Sequence, residues 1–392
     1  MASILIFKGR SQYCVTDRFI QDMAAGFEAD GYRPVIVATH QSLEDQHKQL
    51  LGLIEQDKPI FALGFNAIGQ FHCQERSIYE VTDIPFFGYL MDHPIYHMER
   101  IEAAPVAHSY FGCVDQRHLD FFHVGFHQPP PSVFLPHGGS IGQHAGNSLA
   151  ERPIDVLFSG SGGNPQTIEA RWKKLPDAEI TDILFYGVES AKAQRPIPVL
   201  ELVTRIFEEW NLRPNRELFI ALMLEIENYL RVWRRLEVLR AFDDARVAVD
   251  IFGNGWDAID FSCHRIHPQQ SYDAIIDLMG KAKTVLNISH MFTSGGHDRV
   301  FSAMLNGAVA ITNRSEYFEQ ILVDNAHYLP CTQAREFASR AADLLQSPQQ
   351  RAGISISARE TALRAHTWEQ RATALHMFFA SSDFSVPAAA SF

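Results

Sequence analysis

The chain has 392 residues, of which 46% are hydrophobic and 20% are charged, and its formal net charge at pH 7 is −12. This length and composition indicate a globular protein with room for two domains, and the negative charge argues against nucleic acid as the main partner. The apolar runs are too short to span a membrane, the N-terminus lacks a signal-peptide layout, and the five cysteines are widely spaced. We therefore expect a cytoplasmic protein without an integral membrane segment.

The first third of the sequence alternates short apolar runs with segments of helical periodicity. The runs predict strands at 3–7, 34–38, 59–63, 85–90, 108–114 and 132–135. Helices are predicted at 17–29, 42–56 and 70–81, the second one capped by Ser42. Because alternating strands and helices form parallel sheets, we predict a doubly wound Rossmann-like domain over residues 1–140. A linker is predicted at 141–153, since residues 138–152 are rich in Gly, Ser, Asn and Ala and lack periodicity.

A second alternation begins at residue 154. Strands are predicted at 154–158, 247–252, 284–288 and 308–312, and helices at 271–280 and 336–345. Residues 167–244 have mainly helical periodicity. The pattern predicts a second Rossmann-like domain over 154–368 that carries this helical insert. Residues 369–392 are expected to form a C-terminal helix and tail that could pack back on the first domain.

The segment from Asn287 to Thr312 predicts a strand, a loop with two glycines, a helix, and then another strand after Gly307. A glycine-rich loop at a helix N-terminus presents backbone amides and the positive end of the helix dipole, which suits an anion. Arg299 in the first turn opposes that dipole, and a bound phosphate would explain its presence. The alternative is a surface salt bridge between Arg299 and Glu316 or Glu319.

Ligands of doubly wound sheets bind beyond the carboxyl ends of the strands. In the second domain, a glycine-rich turn follows the first strand and is a second candidate for contact with phosphate. A further group of residues follows later strands and is predicted to frame a nucleotide base: Gly253, Trp256, His267 and Pro268. For Trp256 the competing interpretation, which is favoured, is a core residue.

Five segments of the second half resemble glycosyltransferases of the GT-B fold, most closely the CgeB-like group related to group-1 transferases. They are Val156–Ser161, Ile251–Trp256, Thr284–Ser289, His297–Met304 with Gly307, and His366–Trp368. The resemblance covers residues 154–370, whereas the first half matches more loosely, through Asp92-His93-Pro94 and Leu135–Gly138. Many relatives carry two glutamates eight positions apart, where this chain has Ser294 and Ser302.

The resemblance implies two Rossmann-like domains facing a central cleft, and transfer of a sugar from a nucleotide-diphosphate donor without a required metal or a separate cofactor. A UDP-sugar is the favoured donor, held by the second domain, and the acceptor (glycan, protein or lipid) would bind to the first. The predicted donor contacts are Ser159, Gly160, Ser161, Gly162, Ser294, Gly295, Gly296, His297, Asp298 and Arg299. Arg299 is expected to stabilise the leaving group. His297 could instead serve packing, and Asp298 could be a helix-start carboxylate.

Asp92 and His93 follow the most apolar predicted strand. Either side chain could orient or deprotonate an acceptor hydroxyl, so both are candidate catalytic residues together with Arg299. In the competing interpretation Asp92 caps the following segment and His93 fills the seam between the domains.

Two histidine pairs have the four-residue spacing of a helical metal motif, His93 with His97 and His123 with His127. A proline or a glycine interrupts each pair, so we predict no metal site. Two other functions stay open. One is a GT-B protein that binds a nucleotide sugar or glycan without turnover, and the other is a nucleotide-sugar epimerase that uses Asp92 with Asp298.

Overall fold

The computed structural model describes residues 1–10, 14–39, 43–73, 76–193, 197–289 and 292–380. The chain divides into two compact units. The first unit is Met1–Ser140 with the described part of Ala365–Phe392, and the second is Ile141–Arg364. Each unit contains a six-stranded parallel sheet with helices between its strands, which confirms the predicted doubly wound α/β class. None of the described helices has both the length and the apolar character required to cross a membrane.

The first sheet has the order β2-β1-β3-β6-β7-β8. The strands of the first unit are β1 (Ser3–Lys8), β2 (Arg33–Ala38), β3 (Ala62–Phe65), β4 (His72–Cys73), β5 (Arg76–Ser77), β6 (Phe86–Leu90), β7 (Ser109–Cys113) and β8 (Ser132–Phe134). Its helices before residue 140 are α1 (Val15–Ala29), α2 (Leu43–Asp57), α3 (Ile78–Thr82), α4 (Met98–Glu102) and α5 (Gln116–Gly125). Strands β3 and β6 are buried along their whole length, which explains their continuous apolar sequences.

The helix predicted at 70–81 is wrong for most of its length. Strands β4 and β5 pair antiparallel there, and helix α3 begins only at Ile78. Ser77 and Glu80 form a reciprocal capping box at its start, and this box fixes the helix N-terminus at that point. The predicted cap Ser42 lies outside the described residues.

The second sheet has the order β11-β10-β9-β12-β13-β14. Its strands are β9 (Ile154–Ser159), β10 (Asp250–Phe252), β11 (Arg265–His267), β12 (Ala282–Asn287), β13 (Val309–Asn313) and β14 (Leu329–Cys331). The helices are α6 (Pro165–Trp172), α7 (Ala178–Ala193), α8 (Val199–Glu209), α9 (Arg216–Asp244), α10 (Tyr272–Met279), α11 (Asp298–Leu305), α12 (Glu316–Ile321), α13 (Ala334–Gln346) and α14 (Pro348–Ala365). The strand order reverses between β9 and β12, the point at which such sheets bind ligands.

Helices α6 to α9 form the predicted helical insert, and α9 packs against the second sheet. That core brings Val238, Leu239 and Phe242 of α9 against strand residues such as Phe158 and Ile251. The segment 141–153, predicted as a linker, belongs to the second unit, where Gly142 N donates to Asn306 Oδ1 at 2.8 Å.

A last helix, α15 (Trp368–Ala380), belongs to the first unit. It packs on α1: the rings of Phe19 and Trp368 lie 4.2 Å apart, and Thr373 Oγ1 donates to Asp30 Oδ2 at 2.6 Å. The C-terminal helix therefore completes the core of the first unit.

Candidate functional site

Two loops leave the second sheet at its switch point, one after β9 and one after β12. These strands pair in parallel, with Phe158 beside Leu286, so the loops begin side by side. In the loop after β9, the amides of Gly160 and Gly162 donate to the carbonyls of Phe252 at 2.9 Å and Asn254 at 2.7 Å. These two amides are therefore engaged by the loop after β10, and a phosphate at this loop would have to use other donors.

Trp256, in the loop after β10, contacts the loop after β9. Its Nε1 donates to the Gly160 carbonyl at 2.8 Å, and the side chain is 1% exposed. A Cβ added at Gly162 would lie 2.3 Å from the indole, so glycine is required for this close packing. Trp256 is thus in the core, as the favoured interpretation held, and it has no free ring face on which a base could stack.

The remaining residues of the predicted base region lie at the ends of β10 and β11. Gly253 has a φ of +155°, and a Cβ there would lie 2.3 Å from the Gly160 carbonyl oxygen, so it serves the contact between the loops. The imidazole of His267 stacks on Phe252 at 4.3 Å, and its Nε2 lies 2.7 Å from Asp250 Oδ1. Burial raises the pKa of Asp250, but the hydrogen bonds from Arg265 and His267 outweigh it and the net shift is downward. Pro268 is exposed.

The start of α11 contains a connected group of polar side chains. Asp298 is 4% exposed and accepts a hydrogen bond from the Tyr272 hydroxyl at 2.6 Å. Its other oxygen lies 2.6 Å from Nδ1 of His297, the N-cap residue of the helix. The same Nδ1 accepts from Arg299 N at 3.3 Å as the N-cap of α11, so the ring lies between the carboxylate and the first turn of the helix. The buried Asp298 carboxylate thus orients the His297 ring.

Arg299 lies in the same first turn and points along the end of β12. Its Nη1 donates to Asn287 Oδ1 at 2.7 Å, and Asn287 Nδ2 in turn donates to Thr312 Oγ1 at 2.8 Å. Burial lowers the pKa of the Arg299 guanidinium, and the Asp298 carboxylate opposes that shift. A guanidinium stays charged under such conditions and has five donors, so its bond to Asn287 leaves others for an anion.

The two acidic residues considered as salt-bridge partners of Arg299 bind elsewhere. Glu316 accepts a hydrogen bond from Ser294 Oγ, and Glu319 pairs with Arg314 at 3.0 Å.

The loop after β12 is tightly packed against the start of α12. Ser294 is 1% exposed and donates to Glu316, while Ser315 Oγ donates to the Gly295 carbonyl. A Cβ at Gly296 would lie 2.4 Å from the Phe318 ring. Ser302 is fully buried, and its Oγ lies 3.4 Å from the Tyr272 hydroxyl. Neither Ser294 nor Ser302 therefore presents a carboxylate, but the carboxylate of Glu316 lies beside Ser294.

In the first unit, Asp92 and His93 follow β6 in different environments. Asp92 is exposed, whereas His93 is buried and its Nδ1 accepts from Ile95 N at 3.1 Å, capping the short helix Pro94–His97. Burial holds the pKa of His93 well below its ordinary value, and His118 and His97 add to the shift. His93 is therefore neutral with its proton on Nε2. It can donate a hydrogen bond but is not poised as a base.

The described residues contain one group with the spacing of metal ligands, formed by Asp243, Cys263 and His264. Cys263 and His264 precede β11 and Asp243 lies in the last turn of α9, so the group lies at the amino edge of the sheet, opposite the loops after β9 and β12. Burial raises the pKa of the Cys263 thiol to about 11, and Asp243 adds to the shift. Of the two histidine pairs, His93 caps a helix and His127 lies beyond the end of α5, so neither pair forms on a helix.

Sequence reasoning gave no site role to Tyr272 or Asn287, and it considered Glu316 only as a salt-bridge partner of Arg299. Asn287 ends the buried strand β12, and Glu316 follows Ser315, a recognisable cap after β13, so both positions could have been noticed. Nothing in the sequence indicated a site role for Tyr272, since it is the first residue of an ordinary apolar helix.

Residues 232–377 match a family described as glycosyl transferase-like. No curated protein matches the chain. Among solved structures, sucrose-phosphate synthase from Thermosynechococcus elongatus is similar with a TM-score of 0.51 at 9% identity, over 97% of this chain and 98% of the other.

Two further structures cover 97% of this chain and all of their own. An α-glucosyltransferase solved with UDP and a 13-mer DNA gives a TM-score of 0.55 at 9% identity. The Anabaena protein HepE, solved with UDP-glucose, gives 0.50 at 12% identity. The part of the chain that contains the loop after β12 and helix α11 is thus glycosyl transferase-like in sequence, and the chain has the GT-B fold.

Proposed function

We propose that the chain is a glycosyltransferase that uses a nucleotide-diphosphate sugar, with the diphosphate at the N-terminus of α11. The observation that carries this is the position of His297, Asp298 and Arg299 at the switch point of the second sheet, within the glycosyl transferase-like segment. The relation to the CgeB-like group rests on the motifs of the sequence. A UDP-sugar is the favoured donor, because structures of the same fold were solved with UDP and with UDP-glucose.

The transferred sugar exchanges one bond at its anomeric carbon for another. The bond to the diphosphate oxygen breaks, a bond to an acceptor oxygen forms, and the acceptor hydroxyl loses its proton to a base. Arg299 and the dipole of α11 would stabilise the departing diphosphate, so that no metal is required. His297, oriented by Asp298 and Tyr272, would donate to the same group. Asp92 is the proposed base, since His93 carries its proton on the nitrogen that is not used for capping.

A nucleotide-sugar-binding protein without turnover is the second candidate. It is favoured by Ser294 and Ser302, which replace carboxylates found in many relatives, and by the complete burial of Ser302.

Calorimetry with UDP-, GDP- and dTDP-glucose, followed by a donor-hydrolysis assay, tests both candidates. We expect one nucleotide sugar to bind and to be hydrolysed, and Arg299→Ala to weaken its binding and to slow turnover by roughly 10²–10³. Arg364→Ala, an exposed arginine at the end of α14, is the matched control and should behave as wild type. Tight binding without hydrolysis or transfer would favour the binding protein. Unchanged binding and rate in Arg299→Ala would disprove the diphosphate role.

A further inference from the structure

A cavity of about 1150 Å³ lies in the second unit, beside the ends of β13 and β14. Helices α7 and α9 of the insert form one wall, with Lys192 and Trp233, and Thr293 of the loop after β12 forms part of another. The volume exceeds the roughly 300–1,000 Å³ of ordinary small-molecule pockets, so the cavity has room for more than one sugar ring. We call it the insert cavity.

Three of the four cations that line the insert cavity are paired with carboxylates within the protein, and the fourth, Arg335, is exposed. Arg234 pairs with Glu237 at 2.6 Å, and Arg314 pairs with Glu319 at 3.0 Å. Lys192 Nζ lies 2.8 Å from a Glu189 carboxylate oxygen. Because these cations already have carboxylate partners, the walls suit an uncharged polar ligand better than a phosphate.

The same walls offer the groups that recognise neighbouring hydroxyls. A guanidinium presents a planar fork of donors and a carboxylate presents paired acceptors, so a vicinal diol can bind to either. Trp233 is partly exposed at the cavity and supplies an apolar surface for the C–H face of a sugar ring. Thr293 Oγ1 is buried and has no hydrogen-bond partner among the residues that the structure describes.

The insert cavity is connected to the proposed donor site through one loop. Glu316 lines the cavity and binds Ser294, and the chain then continues through two glycines to His297 and Arg299. We propose that the insert cavity binds an uncharged oligosaccharide, the glycan chain that carries the acceptor hydroxyl. This inference rests on the proposed glycosyltransferase function, and it places glycan binding on the second unit.

The test uses the full chain and four uncharged probes: maltotriose, cellotriose, triacetylchitotriose and lactose. Each is titrated with and without saturating UDP, and binding is followed by tryptophan fluorescence and saturation-transfer NMR. We expect at least one probe to bind, and Trp233→Leu and Glu316→Gln each to weaken it by about tenfold. Glu316→Gln keeps an acceptor for Ser294, and UDP affinity on the same preparations reports whether the donor loop is disturbed. Trp210→Leu, a partly exposed tryptophan outside the cavity, should bind the probe as wild type.

The outcomes separate this inference from the proposed function. UDP binding without binding of any probe would overturn the insert cavity as a glycan site and leave the donor site intact. Probe binding that persists in both variants would overturn it as well, as would preferential binding of inorganic pyrophosphate that Glu316→Gln strengthens. Glycan binding without UDP binding or donor hydrolysis would overturn the transferase function instead.

Discussion

The Tyr272 hydroxyl donates a 2.6 Å hydrogen bond to Asp298, which joins the first residue of α10 to the first residue of α11. Asp298 also lies 2.6 Å from His297 Nδ1, so its buried carboxylate has partners on both sides. The orientation of His297 at the start of α11 therefore depends on a tyrosine from a neighbouring helix. This dependence is open to a direct test by substitution.

Tyr272→Phe removes the donor and leaves a buried carboxylate oxygen without it. We expect the free energy of unfolding in urea to fall by about 1–3 kcal/mol, the cost of an unsatisfied buried polar group. Tyr186→Phe removes an exposed hydroxyl that binds Glu209, and it should change stability by less than about 0.5 kcal/mol. Equal effects of the two substitutions would show that the buried contact adds nothing.

Gly162→Ala tests the close contact between the loop after β9 and Trp256. The new Cβ would lie 2.3 Å from the buried indole, and we expect a loss of about 1–3 kcal/mol from overpacking. Gly146→Ala is the control, because a Cβ there meets nothing within 4 Å. Thermal or urea unfolding of both variants measures the difference. A stable Gly162→Ala protein would mean that the loop moves away from the indole at little cost.

The sequence predicted the elements that depend on local patterns. The buried strands, the long amphipathic helices and the left-handed Gly307, with a φ of +70°, all follow from apolar periodicity and backbone preference. The helix predicted at 70–81 failed because the capping box of Ser77 and Glu80 starts the helix only at Ile78, while the preceding residues pair as strands β4 and β5.

The candidate site was harder to predict because its contacts join distant parts of the chain. The sequence indicated Arg299 and the glycine-rich loops, but it gave no sign that Gly160 and Gly162 bond to the loop after β10. The pairing of Ser294 with Glu316 likewise requires β12 and β13 to be neighbours, which is a property of strand order and not of either segment.

Buried histidines in the first unit predict sensitivity to acid. Burial lowers the pKa of His97 from 6.5 to about 4, and Arg100 adds to the shift. As the pH falls below about 6.5, His97 becomes protonated in the unfolded chain but stays neutral in the folded protein. The free energy of unfolding therefore decreases progressively down to about pH 4.

The slope contributed by one such histidine is at most about 1.4 kcal/mol per pH unit. Urea unfolding of wild type and His97→Asn at pH 7, 6 and 5 measures it, and the variant should lose less stability across this range. His123→Asn, at an exposed histidine, should retain the wild-type slope. If stability fell equally with pH in wild type and His97→Asn, the pH dependence could not be assigned to His97.

Turnover should survive excess EDTA, because Arg299 and the α11 dipole are proposed to carry the charge of the leaving group. Rates of donor hydrolysis with and without chelator provide the measurement. Cys263→Ser disrupts the group Asp243, Cys263 and His264, and it serves as the control for a metal bound there. Such a metal would lie at the opposite edge of the sheet from the proposed donor site. Loss of activity that Mn²⁺ or Mg²⁺ restores in both proteins would contradict the proposed metal-independent mechanism.

Asp92 and His93 are adjacent in sequence, and their environments predict opposite consequences of substitution. Asp92→Asn changes an exposed side chain, so the melting temperature should stay at the wild-type value while transfer slows and donor affinity is kept. His93→Ala removes a helix cap and packing against His118 and Phe121, whose rings lie 4.6 Å and 4.9 Å away. We expect it to lower stability by about 1–3 kcal/mol.

Donor titration, transfer rates and melting curves on the same preparations separate these roles. Loss of donor affinity in Asp92→Asn would place that residue at the donor and not at the acceptor hydroxyl. A His93→Ala protein with wild-type melting and greatly reduced transfer would restore His93 as a catalytic group. In that case the ring would have to leave its capping position during the reaction, because the nitrogen that now accepts from Ile95 is the one a base requires.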